Sequence, residues 1–112
     1  MSENSPTYGN PLNPLFKMAI LSGAESSVAL HIRKGKDVNS TDDHGCSPLI
    51  LAASRGYLNI CKILLEAGAD PFLRDLEGKD AFASAQKSNN SELVQLLEKY
   101  SIYNHKIPSS PR

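Results

Sequence analysis

The stretch of sequence that decides the fold is residues 42–70, DDHGCSPLILAASRGYLNICKILLEAGAD. Ser47 and Pro48 are residues typical of the N-cap and the first position of a helix, and Gly56 is typical of a helix end. Beyond it, apolar residues spaced three and four apart form the stripe of a second helix, which Gly68 ends. The stretch therefore predicts two short helices in an antiparallel pair.

The same plan recurs with a period of 33 residues. Gly45 is repeated as Gly78, and the same offset places Leu49 over Phe82 in one direction and over Phe16 in the other. Because one helix pair cannot bury both of its faces, repeated pairs must stack on one another. We therefore predict an all-α solenoid of three units, residues 11–41, 42–74 and 75–103, with disordered segments at 1–10 and 104–112.

The two outer units carry polar residues at several positions where the central unit is apolar. A solenoid turns the outer faces of its end units to water, so these replacements are typical of capping units. We therefore expect the array to be complete with three units. The replacements are Ser27 and His31 in the first unit and Ser84, Gln86 and Glu98 in the third.

Three segments of the central unit carry a family resemblance. They are Asp42-x-x-Gly45-x-Ser47-Pro48-Leu49, Ala52-Ala53-x-x-Gly56 and Ile60-x-x-Ile63-Leu64-Leu65-x-x-Gly68-Ala69-Asp70. This pattern resembles the ankyrin repeat, with Ser47 in place of the usual threonine and Ile50 where the family commonly has histidine. The resemblance implies helix-turn-helix units joined by β-hairpin-like loops, and a function in binding other proteins.

Composition excludes several other classes of partner. Twelve basic and twelve acidic residues cancel among the 112 residues, so no overall field draws the chain to nucleic acid or to an anionic membrane. The first residues lack the basic start and apolar run of a signal peptide, and two cysteines are too few for a disulfide framework. We expect a monomer in the cytoplasm, or in the nucleus if the source is eukaryotic.

One short segment contains groups that could perform chemistry. Asp42, Asp43, His44 and Cys46 lie within five residues, but their spacing fits no closed four-ligand zinc motif. A Cys46 nucleophile would need a base and a group that orients the base, and His44 is two residues away on the same turn. We therefore predict no catalytic residue, no metal and no cofactor, and keep a small cysteine or metal-dependent hydrolase as a remote alternative.

A second cluster is basic. Arg33, Lys34 and Lys36 lie near the end of the second predicted helix, without interleaved aromatic residues. Proteins that follow a nucleic-acid backbone carry more positive charge than this. We interpret the cluster as cations that stabilise the C-terminus of the helix, and we predict no nucleic-acid partner.

The resemblance implies that a protein partner contacts the hairpin tips and the concave side of the first helices. We predict an adaptor or inhibitor that recognises another protein. The alternative is a regulatory or targeting domain of a larger enzyme or transcription component. The predicted binding residues are Asp43, His44, Cys46, Leu76, Glu77 and Lys79 at the tips, and Ser54, Arg55 and Lys87 in the groove. Ile50 is also expected on the groove side of its helix.

Overall fold

The computed structural model describes the backbone of residues 10–106 and the side chains of residues 10–102, and the chain forms six helices within this range. Within this part of the chain the secondary structure is otherwise turns, together with one isolated parallel bridge between Pro11 and Thr41. The prediction of an all-α fold is confirmed. The helices are α1 (Pro14–Leu21), α2 (Glu25–Arg33), α3 (Pro48–Ser54), α4 (Leu58–Glu66), α5 (Ala81–Lys87) and α6 (Ser91–Lys106).

Polar side chains cap the first helix of every unit. The Asn13 side chain accepts hydrogen bonds from two backbone N–H groups at the start of α1, Ser47 accepts one from Ile50, and Asp80 accepts one from Ala83. Each bond satisfies an N–H group that the helix itself leaves without a partner. The first helix begins one position earlier than the 33-residue offset predicts, because Asn13 supplies the cap there.

A left-handed residue separates the two helices of each unit. Gly23 and Gly56 hold φ angles of 75° and 74°, and Asn89 takes the same place in the third unit with a φ of 60°. Glycine adopts this conformation without strain, and asparagine tolerates it better than most residues. The short turn brings the second helix back against the first.

The three pairs stack in register. α3 lies between α1 and α5, and α4 lies between α2 and α6. The interfaces are filled by apolar side chains that are completely or almost completely buried, as the offset of 33 residues predicts. The largest of them are Phe16, Ile20, Leu49, Ile60, Leu64, Leu93 and Leu97.

Polar side chains also join neighbouring units. The Asn39 amide donates to the carbonyl of Gly68 over 3.3 Å, and its oxygen accepts the N–H of Asp70 at 2.8 Å. The Tyr57 hydroxyl donates to the carbonyl of Leu21 at 3.3 Å. Because these partners are 29 to 36 residues apart, the bonds fix the relative position of successive units.

The end units differ in part from the prediction of polar caps. Gln86 and Glu98 are exposed, as predicted, but Ser84 is only 8% exposed. His31 is half-buried and stacks on Phe16 with ring centroids 5.4 Å apart, so its imidazole covers an aromatic ring of the first unit. The first unit also exposes apolar side chains that were not predicted to be exposed, and they are described below.

The boundaries of the repeat domain also differ slightly from the prediction. α6 continues to Lys106, three residues beyond the predicted end of the third unit. The side chain of Asn10 donates to the carboxylate of Asp37 at 3.0 Å, so this residue is attached to the first unit. The remaining parts of the segments predicted to be disordered, residues 1–9 and 107–112, lie outside the described residues.

Candidate binding surface

The first hairpin tip is a turn organised by Asp42. Its carboxylate accepts the N–H groups of His44 and Cys46, both at 2.9 Å, and its carbonyl accepts the N–H of Gly45 at 2.9 Å. The Asp42 N–H in turn donates to the carbonyl of Cys46 at 3.1 Å. The backbone of the turn is therefore fixed from within, and the side chains of Asp43 and His44 are exposed.

The second tip repeats the first. The carboxylate of Asp75 accepts the N–H groups of Glu77 and Lys79 at 2.9 Å, and its carbonyl accepts the N–H of Gly78 at 2.9 Å. Glu77 and Lys79 form an ion pair of 3.2 Å between side chains that are both well exposed. Two turns of the same construction thus present different side chains at their tips.

The two tips contact each other directly. The N–H of Leu76 donates to the carbonyl of His44 at 2.9 Å, which ties the second turn to the first. The Leu76 side chain itself remains 79% exposed. The row of tips is therefore a continuous surface rather than two independent loops.

An ion pair distinguishes the first turn from the second. Lys17 on α1 reaches Asp42 at 3.0 Å, and the Asp42 side chain is only 7% exposed. Burial alone would raise the pKa of Asp42, but the backbone hydrogen bond from Cys46, the Lys17 ammonium and the backbone hydrogen bond from His44 together lower the pKa below its usual value. Asp42 therefore stabilises the fold in its charged form.

This pKa shift predicts a pH dependence of stability. A carboxylate whose pKa is lower in the folded state stabilises the fold above its unfolded pKa, and that stabilisation is lost as the pH falls through the folded pKa. We expect Asp42→Asn to lower the free energy of unfolding at pH 7 by about 1–3 kcal/mol, since it weakens charged hydrogen bonds. We also expect the variant to lose less stability than the wild type below about pH 4.

Urea unfolding measured from pH 7 to pH 2 checks this prediction. Asp75→Asn is the matched control, because Asp75 organises the same kind of turn and no lysine pairs with it among the described residues. An Asp42→Asn variant whose stability falls with acid as steeply as that of the wild type would contradict the assignment.

A cavity of about 350 Å³ lies between the second turn and the helices α3 and α5. Its wall combines apolar side chains with charged ones. Five of the residues predicted to bind a partner are brought together here: Cys46, Ser54, Glu77, Lys79 and Lys87. The other lining residues are Ile50, Leu51, Asp75, Ala83 and Ser84.

The other predicted binding residues lie outside this cavity. Asp43, His44 and Leu76 are exposed on the tips, and Arg55 is exposed at the C-cap of α3. Ile50, which we expected on the groove side, lines the cavity and is only 3% exposed, because α3 packs between α1 and α5.

Sequence reasoning missed part of the cavity wall. Leu51 and Ala83 were not predicted to line it, and Ser84 was predicted to be an exposed cap residue. The 33-residue offset places Ser84 over Leu51, so the repeat contained a signal that the two side chains occupy equivalent positions. Which positions border a cavity depends on how two neighbouring units pack.

The protonation of the Cys46 thiol disfavours a role for this residue as a nucleophile. Burial, followed by the negative charges of Asp42 and Asp75, raises the pKa of the thiol to about 11. The reactive form of cysteine is the thiolate, which is a small minority at neutral pH for such a group. Cys61 is completely buried, and burial raises its pKa to about 12.

The described residues also show no cluster of metal ligands. Among the side chains of residues 10–102, no three histidine, cysteine, aspartate or glutamate side chains meet in a group that could hold a metal ion. Both cysteines are free thiols. The carboxylate of Asp42, in the same turn as His44 and Cys46, is already engaged by Lys17 and by backbone N–H groups.

Comparison with known proteins agrees with this architecture. The family model for ankyrin repeats matches residues 8–107 and finds three copies. The chain belongs to the ankyrin-repeat family. The family assignment made from residues 42–74 is confirmed, and ankyrin repeats imply a protein-protein interaction module that is typically non-catalytic.

Several curated proteins resemble this ankyrin domain. It is 40% identical over 88 residues to protein HOS4 of Saccharomyces cerevisiae, and the aligned segment covers 74% of this chain and 8% of that protein. It is 34% identical over 80 residues to human protein phosphatase 1 regulatory subunit 27, covering 71% of this chain and 51% of that protein. A putative ankyrin repeat-containing protein of Treponema pallidum is 33% identical over 85 residues, and the aligned segment covers 75% of this chain and 28% of that protein. The chain thus spans between about a twelfth and about half of these relatives.

None of the helices described is suited to crossing a lipid bilayer, because each is too short or too polar to do so.

Proposed function

We propose that this ankyrin domain acts as an adaptor or inhibitor that binds a segment of another protein across its hairpin tips and concave groove. The observation that carries the proposal is the cavity between the second turn and the helices α3 and α5. It places a partly apolar recess directly beneath exposed, charged side chains. Recesses with this combination are typical of binding sites.

The construction of the tips favours binding. The backbone of each turn is held by its own aspartate and by the contact between Leu76 and His44, so little conformational entropy remains to be lost when a partner binds. The exposed Leu76 side chain offers an apolar contact beside the recess. Modest contacts on such a surface can therefore yield useful affinity.

The charges of the groove suggest the chemistry of the partner. Arg55 and Lys87 are exposed, and neither forms an ion pair with the side chains of residues 10–102. Lys79, in contrast, is paired with Glu77. We expect a partner segment that places an apolar side chain in the recess and an acidic group near Arg55 and Lys87.

Affinity capture from an extract of the native cells tests the proposal. The baits are the wild-type chain, an Arg55→Glu/Lys87→Glu groove variant and an Asp43→Arg tip variant, and captured proteins are identified by mass spectrometry. Lys62→Glu, an exposed change on α4, is the matched control for a reversed charge. Circular dichroism shows whether each bait is folded.

We expect a protein that the wild type and the Lys62→Glu control retain and that the groove variant loses. For a partner so identified, the groove variant should weaken binding by about tenfold or more, as residues at binding hot spots do. Equal retention by the wild type and both surface variants would contradict the proposed surface.

A second candidate role is that of a regulatory or targeting domain within a larger protein. The observation that favours it is the length of the relatives, of which this chain spans only a part. One relative is named as a regulatory subunit of a protein phosphatase. An immunoblot of native extract distinguishes the two roles, because a band well above 12.2 kDa supports the larger protein and a band at that mass contradicts it.

A further inference from the structure

A second surface lies on α1 and α2, the helices of the first unit. Three large apolar side chains are exposed there: Leu15 (65%), Met18 (64%) and Leu30 (41%). Leu15 and Met18 are three residues apart on α1 and therefore share one side of that helix. We call this surface, together with the neighbouring Lys34 and Lys36, the N-terminal end face.

The repeat shows what covers these positions elsewhere in the molecule. The 33-residue offset places Pro48 and Ala81 at the position of Leu15. Pro48 is less than 2% exposed and Ala81 is 1% exposed. It places Leu51, which is partly buried, and Ser84, which is 8% exposed, at the position of Met18. The units that contain them have a preceding unit packed against them, since α3 lies on α1 and α5 lies on α3. The end face therefore has the shape that accepts helices in the second and third units.

Positive charge borders the apolar part of this face. Arg33, Lys34 and Lys36 are exposed, and among the described residues none of them forms an ion pair. Leu30 and Lys34 are four residues apart and lie on one side of the same helix end. The nearby carboxylate of Asp37 is already engaged, because it accepts hydrogen bonds from Asn10 and from the Asn39 N–H.

Two features hold the start of α1 close to the end of α2 and the loop that follows it. The stack of His31 on Phe16, with centroids 5.4 Å apart, holds the end of α2 against the start of α1. A cavity of about 430 Å³ at this end of the stack is lined by Pro14 and Phe16 on one side and by Gly35 and Lys36 on the other. Lys36 thus lies across a recess from the start of α1, the helix that carries Leu15 and Met18.

We propose that the N-terminal end face docks an amphipathic helix of a partner protein, with apolar residues over Leu15, Met18 and Leu30 and acidic residues facing Lys34 and Lys36. The helical shape of the occupant follows from the helices that cover the equivalent positions in the other units. The acidic character follows from the three exposed cations. This surface is separate from the groove, so the proposal stands independently of the proposed function.

The same observations count against a second copy of the chain as occupant. A two-fold dimer through this face would place the cations of one copy close to those of the other. A head-to-tail contact would bring the exposed Gln86 and Glu98 of one copy against the apolar patch of the next. At the equivalent positions the second unit has the buried, apolar Ala53 and Leu65. The polar pair would therefore be a poor match for the patch.

A synthetic helix tests the proposal on the whole chain. The probe is a fluorescein-labelled peptide of about five helical turns, with leucines at i, i+3, i+4 and i+7 and glutamates on the flanking positions. A peptide of the same composition in scrambled order is the control for helix pattern. A second control replaces the glutamates by lysines. Fluorescence anisotropy at several salt concentrations measures binding.

We expect saturable binding of the acidic helix, and much weaker binding of both control peptides. Met18→Glu should weaken binding about tenfold or more, and Lys34→Glu/Lys36→Glu should weaken it and reduce its salt dependence. Lys62→Glu, an exposed change on α4, should leave the affinity unchanged. Circular dichroism confirms that the variants are folded, and all of these changes are at exposed positions.

Several results would overturn the proposal. One is the absence of saturable binding of the acidic helix, and another is binding that Met18→Glu and the lysine variant do not affect. Binding to phosphatidylserine vesicles that these variants abolish, with no binding of the helix, would assign the face to a membrane surface. A concentration-dependent dimer in sedimentation equilibrium that Met18→Glu abolishes would assign it to a second copy.

Discussion

Leu64→Ala should lower the free energy of unfolding by about 2–5 kcal/mol, the range measured for leucine truncations in packed cores. Leu64 lies on α4, the second helix of the central unit, and is completely buried. Its truncation leaves a cavity at the centre of the stack, where α4 packs between α2 and α6. Because a three-unit stack has a small core, this loss should unfold a large fraction of the protein.

Urea denaturation followed by circular dichroism measures this effect. Leu76→Ala is the matched control, since it removes the same atoms from a side chain that is 79% exposed. We expect the control to change the free energy of unfolding by no more than about 0.5 kcal/mol. Similar losses in the two variants would show that the central unit does not form the core that the structure describes.

Gly45→Val should destabilise the protein more than Gly78→Val, although the two glycines are equivalent in the repeat. Both adopt left-handed backbone conformations, with φ angles of 80° and 84°, so a side chain is strained at either position. A Cβ atom at Gly45 would lie 2.9 Å from the backbone nitrogen of Leu76, whereas nothing lies within 4 Å of a Cβ atom at Gly78. We expect about 1–2 kcal/mol for Gly78→Val, and about 1–3 kcal/mol more for Gly45→Val.

Thermal unfolding of the two variants checks this difference. Each kcal/mol should shift the melting temperature by roughly 4–8 °C in a domain of this size. A further result is expected for binding: Gly45→Val should also weaken capture of the groove partner, because it displaces the Leu76 turn. Equal melting temperatures would indicate that the two turns are not in close contact.

The architecture could be predicted from the sequence because the signals that define each repeat lie close together in the chain. Each unit of 33 residues contains its own caps, helix stripes and terminating glycines, so its secondary structure follows from short-range preferences. The cap at Ser47 is as predicted. The start of α1 at Pro14 is not, since a single residue, Asn13, moved the cap by one position.

The candidate surface was predicted less completely. The tips and several groove residues follow from the repeat, and the structure brings Cys46, Ser54 and Lys87 to one recess. The burial of Ile50 and Ser84 was not predicted, because both depend on how closely α3 and α5 approach each other. The binding role of these residues remains a prediction that the capture experiment tests.

The sequence by itself thus determined the number of units, the order of their helices and the family, because these depend on residues within 33 positions of each other. Only the tertiary structure decided which side chains meet across units. It placed Leu76 against His44 and Gly45, gave Asp42 its partner Lys17, and left Leu15 and Met18 without a preceding unit. The physical reason is that exposure, ion pairing and crowding depend on distances between units, which no single repeat specifies.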